Sequence, residues 1–341
     1  MYKLCITFFL FQLCFFVKAQ NISGRVLDVN KKPIEGVHVY LDNTSIVTLT
    51  NTNGNFILQN PKKINSNIVF RLMGYQTIIS TPKQQMIVIL EEDVSELEEL
   101  VIKKSKFSRA QLLKVFKEQF LGTTEYGKAC KILNEDDLEL SYNPDTFVLE
   151  TSSNTPIKIY NPLLGYNIEF YLKESRTHFK SYSIEDSQIN QNLFIGSTLF
   201  KEAQFVSDVA LKNRKNVYKG SIQHFFSTLV DPNKKMDDYK ANIQDIKNSF
   251  FIENLNDNNY LVTPKFNKDK TINDSIIKND KINIYYKIEY NKLRSVINLK
   301  SNQFVIDKNG NYAPIQSVVL DGEMSKHRLG NMLPLNFEFK E

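Results

Sequence analysis

The chain has 341 residues, of which 24% are charged and 42% hydrophobic, and its 43 Lys and Arg against 38 Asp and Glu give a formal net charge of +5. So small an excess over such a length excludes a surface built to bind polyanions, and neither nucleic acid nor anionic membrane is an expected partner. The length allows two domains of ordinary size.

Residues 1–19 have the pattern of a secretory signal peptide. Lys3 gives the positive start, Leu4 to Val17 form an apolar run broken only by Thr7 and Gln12, and Val17-Lys18-Ala19 puts small side chains at −3 and −1. The run of about 14 residues is shorter than the roughly 20 needed to span a bilayer, so cleavage is expected, and no later run is long enough for a transmembrane helix. Lipid attachment at Cys14 fits poorly beside Gln12 and Phe15. Losing Lys3 and Lys18 with the signal lowers the net charge from +5 to +3. Losing Cys5 and Cys14 leaves Cys130, so no intrachain disulfide is expected in an exported chain, and this Cys reads as a small buried apolar residue.

From Ile22 to Leu90, short apolar runs with period two are separated by Gly, Pro and Asn turns, the pattern of a small β-sandwich. Val37, Val39 and Leu41 share one face of a strand, with His38 and Tyr40 on the other, and Phe56 and Leu58 fill the same core from a second strand. Pro33 and Gly36 shape one turn, Asn53-Gly54 reads as a tight hairpin with Thr50 and Thr52 at an edge beside it, and Gly74-Tyr75 ends a strand. Met86-Ile-Val-Ile-Leu90 reads as a last strand buried on both faces.

The set Gly24-x-Val26, Pro33-x-x-Gly36-Val37-x-Val39, Thr50-Asn51-x-x-Gly54-x-Phe56 and Gly74-Tyr75 resembles the carboxypeptidase-regulatory-like domain. The stretch Leu90-Glu-Glu-Asp-Val-Ser-Glu-Leu-Glu-Glu-Leu-Val101 resembles the segment that closes that domain. The likeness covers about 80 residues and implies a seven-stranded transthyretin-like, Ig-like sandwich. The family is named for a non-catalytic domain of zinc carboxypeptidases and also caps many TonB-dependent outer-membrane receptors of Gram-negative bacteria, so an envelope location follows from the resemblance. Asn51 stands where the family usually has Asp, which removes a charge and leaves the turn intact. The resemblance supplies no reaction. Zinc carboxypeptidases bind their metal through His-x-x-Glu and a distant His, whereas the four His here are followed at +3 by Leu41, Ser181, Ser227 and Gly330, and His-Glu-x-x-His is absent.

Glu91 to Glu99 carries six acids, and Lys103, Lys104 and Lys106 follow, a solvated boundary or a docking segment for an envelope partner. Ser108-Arg-Ala-Gln111 opens a helix with a capping box, Leu112, Leu113, Phe116 and Phe120 form its apolar stripe, and Gly122 ends it. Alternating strands follow at Leu138–Tyr142, Phe147–Leu149, Ile157–Ile159 and Ile168–Leu172. A second helix is expected at Ser221–Val230, stopped by Asp231-Pro232. Residues 231–280 read as loop-heavy with weaker strands. Ile282, Ile284, Tyr286, Ile288 and Tyr290 then alternate, and Phe304–Ile306 and Ile315–Leu320 flank the hairpin signal Asn309-Gly310. The ending Arg328–Pro334 and the element Tyr218-Lys-Gly-Ser221 resemble uncharacterised secreted proteins that begin with the same accessory domain.

The expected fold class is mainly β: a β-sandwich over 20–91, a charged linker at 92–106, and a β-rich α+β domain over 107–341. No catalytic, cofactor-binding or metal-binding residue is assigned. His178, His224 and His327 are scattered, with His224 read as a surface or cap residue. No Gly-x-Ser-x-Gly or phosphate loop occurs, Gly220-Ser221 reads as a helix entry, and Glu253, Asp257 and the pair Asp237-Asp238 are acids in polar loops. The expected function is that of a non-catalytic exported protein, periplasmic, outer-membrane-associated or extracellular, that binds a protein, peptide or glycan without a cofactor. One alternative is a secreted hydrolase with metal held by His178, His224 and His327. Another is a small outer-membrane barrel formed by residues 130–341 and closing through Leu335, Phe337 and Phe339.

Overall fold

The computed structural model describes residues 21–60, 64–93, 105–231, 234, 239–241, 247–256, 258–265 and 284–339. The signal sequence, most of the acidic linker, Asp237, Asp238, Asp257 and Ile282 lie outside these residues. The chain divides into two compact units, Met1–Tyr40 with Ile46–Val94, and Leu41–Ser45 with Ser95–Glu341.

The first unit is a sandwich of seven described strands: β1 (Asn21–Asp28), β2 (His38–Leu41), β3 (Val47–Leu49), β4 (Asn55–Gln59), β5 (Ile68–Arg71), β6 (Ile78–Ser80) and β7 (Gln85–Leu90). One sheet has the order β4-β1-β7 and the other β3-β2-β5-β6. Strand β1 runs antiparallel to β4 and parallel to β7. Inward residues of the first sheet, Val26, Phe56, Leu58, Val88 and Leu90, are buried, as are Val39 and Phe70 of the second. Phe56 meets Phe70 edge-on, with centroids 5.5 Å apart, so one aromatic pair joins the two sheets. A Cβ at Gly24 would lie 2.1 Å from the Met86 carbonyl oxygen and 2.9 Å from the Phe56 ring. The close approach of β1 to its parallel neighbour β7 and to the Phe56 ring therefore needs a residue without a side chain.

Three turn and strand readings change here. Asn53-Gly54 joins β3 to β4, which belong to different sheets, so it is a connection between layers and not a two-residue hairpin. Its shape comes from Asn51, whose Oδ1 accepts the N–H groups of Asn53 and Asn55, both at 3.0 Å. An amide performs that task as an aspartate would. Thr50 is buried, not at an exposed edge: its hydroxyl donates to the Ile34 carbonyl (2.7 Å) and accepts the Val37 N–H (2.9 Å). Strand β7 buries only one face, since Ile87 and Ile89 are 78% and 47% exposed.

In the second unit, helix α1 (Arg109–Leu121) starts with the expected capping box, in which the Gln111 N–H donates to Ser108 Oγ and the Ser108 N–H to Gln111 Oε1. Gly122, at φ 96°, ends it. Short helix α2 (Glu125–Ala129) follows. Strands β8 (Lys131–Ile132), β9 (Glu139–Asn143), β10 (Val148–Ser152), β11 (Ile157–Asn161), β12 (Tyr166–Phe179) and β13 (Ile189–Glu202) make a six-stranded sheet of order β8-β11-β12-β10-β9, with β13 also on β12. Phe116 and Phe120 of α1 stack at 5.0 Å, and Phe120 meets Phe170 of β12 edge-on at 4.9 Å. The stripe of α1 is core.

Helices α3 (Asp208–Tyr218) and α4 (Ile222–Val230) follow. Residues 224–230 of α4 are all buried. They share a core with two four-stranded sheets. The first, β14-β17-β18-β21, contains β14 (Tyr239–Ala241), β17 (Ile284–Tyr290), β18 (Leu293–Leu299) and β21 (Val318–Gly322). The second, β15-β16-β19-β20, contains β15 (Phe250–Asn254), β16 (Asn259–Pro264), β19 (Phe304–Asp307) and β20 (Tyr312–Ala313). The turn at Asn309-Gly310 joins β19 to β20, not to 315–320. Ile315–Ser317 is a single 3₁₀ turn, after which β21 pairs with β18 of the other sheet.

Among the described residues no sheet closes into a barrel. Leu335, Phe337 and Phe339 form no strand. Phe337 and Phe339 turn to the core beside α1, and Phe339 stacks on Tyr218 at 5.0 Å. The helices cover sheet faces that a membrane barrel would present to lipid or to its lumen, which corrects the barrel alternative.

Candidate functional site

Residue types that carry chemistry are dispersed. His178 lies within β12, opposite Val148 on one side and Gln191 on the other. His224 is in the first turn of α4 and is buried, which corrects its reading as a surface residue. Its Nδ1 accepts the Gly220 N–H at 3.1 Å and faces the Tyr239 hydroxyl at 2.8 Å, while the rings of Tyr218, Tyr239 and Tyr290 surround it at 5.3–5.8 Å. A backbone donor aimed at Nδ1 keeps that nitrogen unprotonated and occupied, so it is a poor metal ligand. His327 follows the turn Met324–Lys326, and burial lowers its pKa against the opposing charge of Glu323. Among the described residues, no three His, Cys, Asp or Glu side chains come together as a metal site. The structure does not assemble the three histidines of the hydrolase alternative.

The remaining candidates are also committed to structure. Burial pushes the Cys130 thiol up to about 12, and the thiol donates to the Tyr126 carbonyl, so no thiolate nucleophile is available there at neutral pH. Ser221 caps α4 by accepting the His224 N–H and donating to the Tyr218 carbonyl, as a helix entry should. Glu253 is exposed on β15.

Asp307 is a buried carboxylate at the start of the β19–β20 turn. It accepts the N–H groups of Asn309 (2.8 Å) and Asn311 (3.0 Å) and the side-chain amide of Asn311 (2.8 Å). Burial nevertheless raises its pKa above 3.8 and outweighs these bonds. A carboxyl that is harder to ionise in the folded state gives stability that is complete below its ordinary pKa and is lost as pH rises through the raised value. The urea midpoint of the wild type should therefore fall, relative to Asp307→Asn, as pH is raised from about 4. Parallel midpoints for the two proteins between pH 4 and 7 would contradict this.

A surface feature of a different kind lies on the first unit. An open depression of about 730 Å³ is lined by three consecutive residues from each of β1, β4 and β7. Alternation along the strands sends Phe56 inward and leaves Ser23, Arg25, Asn55, Ile57, Gln85 and Ile87 on the outer face, with the backbone of β1 as floor. Ile57 and Ile87 are 61% and 78% exposed. Arg25 is the one charged residue in the lining, and its Nε donates to the Asn53 carbonyl at 2.8 Å. Sequence reasoning missed this face because Met86–Leu90 is a continuous apolar run, and periodicity cannot tell a run buried on two faces from one with an exposed apolar face.

No curated protein matches the chain. Residues 22–102, less than a quarter of the sequence, match the family model of the CarboxypepD_reg-like domain, and the sandwich β1–β7 is a carboxypeptidase-regulatory-like domain.

Proposed function

We propose that this is an exported, non-catalytic binding protein of the cell envelope, and that the outer face of β4-β1-β7 is its binding surface. The domain family supports a module without a reaction. The observation that carries the reading is the pair Ile57 and Ile87, both more than half exposed across one depression. Large apolar side chains held in water on a rigid sheet cost solvation free energy, which a partner recovers by covering them. The pattern of residues 1–19 supports export, and an envelope protein or peptide is the class of partner.

The test is recovery of bound proteins from envelope extracts by the chain from Gln20 onward, beside its Ile57→Asp/Ile87→Asp variant. Both exposed sites tolerate the change, so the thermal midpoints should agree within a few degrees. Species retained by the wild type and lost from the variant are the expected result. Equal recovery by both proteins, or about one tightly bound zinc per chain, would overturn the reading.

A further inference from the structure

The register of the first sheet gives the depression a definite pattern. Ser23 sits between Ile57 of β4 and Gln85 of β7, while Arg25 sits between Asn55 and Ile87. Ile57 and Ile87 are therefore diagonal across β1, two strand spacings and two residues apart, about 12 Å. The midpoint of that diagonal lies over β1 between Ser23 and Arg25. On an extended peptide, side chains at i and i+4 share a face and stand about 13 Å apart, with i+2 between them.

Charge decides what belongs at the centre. The lining contains one cation and no carboxylate. The bond from Arg25 Nε to the Asn53 carbonyl restrains the guanidinium, and its two terminal nitrogens have no partner among the described residues. A restrained guanidinium with free terminal N–H groups is suited to a carboxylate, which it binds through two parallel hydrogen bonds. The lining offers no exposed aromatic ring on which a sugar could stack.

Resting on the binding-module reading above, we infer that the depression takes an extended segment of a partner protein with an apolar residue, an acidic residue and an apolar residue at successive alternate positions. The two apolar side chains cover Ile57 and Ile87, and the carboxylate meets Arg25.

The probe is a fluorescein-labelled peptide of sequence Ser-Ile-Thr-Glu-Thr-Ile-Ser and its counterpart with Lys at the centre, titrated by anisotropy with the chain from Gln20 onward. The Glu peptide is expected to bind at least about tenfold tighter, a difference of about 1.4 kcal/mol. Arg25→Glu should reverse the preference, and Ile87→Asp should abolish binding of the Glu peptide with an unchanged thermal midpoint. Binding of neither peptide, or a preference unaltered in Arg25→Glu, overturns the inference. If Ile87→Asp still loses the envelope partners, the binding-module reading survives that failure. Concentration-dependent dimerisation of the wild type in sedimentation, abolished by Ile87→Asp, would assign the face to a second copy and also overturn it.

Discussion

Gly310→Ala is expected to unfold much of the second unit at temperatures the wild type survives. Gly310 has φ +84°, and a Cβ there would lie 1.7 Å from the Gln223 carbonyl oxygen and 2.6 Å from its carbonyl carbon. The obstacle is the backbone of α4, whose following residues are buried to the last turn, so it cannot move aside without disturbing the core of both four-stranded sheets. The same contact is tied by polar bonds. Gln223 donates to Asn311 Oδ1 at 2.7 Å, and Asn311 donates to Asp307 and to the Leu335 carbonyl. Strain at a left-handed residue costs about 1–2 kcal/mol and overpacking about 1–3 kcal/mol, together about 2–5 kcal/mol. A thermal midpoint lowered by roughly 5–15 °C should follow, read by calorimetry on the full chain. A fall of less than about 2 °C would mean that the loop can leave α4 freely.

Arg214→Lys should also be severe, although it keeps the charge. Arg214 of α3 is buried, lies over the Tyr166 ring at 3.8 Å, and donates from Nε to the Leu164 carbonyl (2.7 Å) and from Nη2 to that of Gly165 (3.1 Å). Its outer edge pairs with both carboxylate oxygens of Glu202, at 3.0 and 2.7 Å. A lysine cannot reproduce the planar fork, and buried carbonyls would lose their donors at about 1–3 kcal/mol each. We expect a loss of about 2–4 kcal/mol in urea unfolding. Glu202→Gln should cost less than about 1 kcal/mol, because the Glu202 side chain is 56% exposed. If Glu202→Gln costs as much as Arg214→Lys, the ion pair and not the carbonyl contacts holds α3 in place.

The same arginine shows why one helix was not legible. The buried stripe of α3 is Ala210, Arg214, Val217 and Tyr218, whereas the apolar Val209 and Leu211 are exposed. An apolar-periodicity search finds no face there, because a cation occupies the central inward position. The available signal was the cap: Ser207 Oγ accepts the Ala210 N–H, and Asp208 stands in the first turn. The helices α1 and α4 were legible because apolar stripes and Ser caps agreed.

Of the two 14-residue strands β12 and β13, the sequence pattern marks only Ile168–Leu172, for a related reason. Beyond Leu172 the chain reads Lys-Glu-Ser-Arg-Thr-His, yet Ser175 and Thr177 are buried. Thr177 pairs with Asn192, whose side chain donates to Gln119 of α1 at 2.8 Å, and Gln119 donates to Asp186 at 3.0 Å. Polar side chains beneath a helix find these partners only after the long-range pairing has formed, so no local pattern announces them.

Legible in the residues alone were the sandwich and its family, together with the capped helices α1 and α4. These depend on backbone conformations and alternations that neighbouring residues impose on one another. The tertiary structure alone decided which apolar positions stay in water, which histidine is buried, and where Arg25 stands relative to Ile57 and Ile87. Those three residues are up to 62 positions apart in the chain, and only the pairing of β4 and β7 on either side of β1 places them around one depression. Pairing is a property of strand edges distant in the sequence, and the residues that line the result carry no mark of it in their own surroundings.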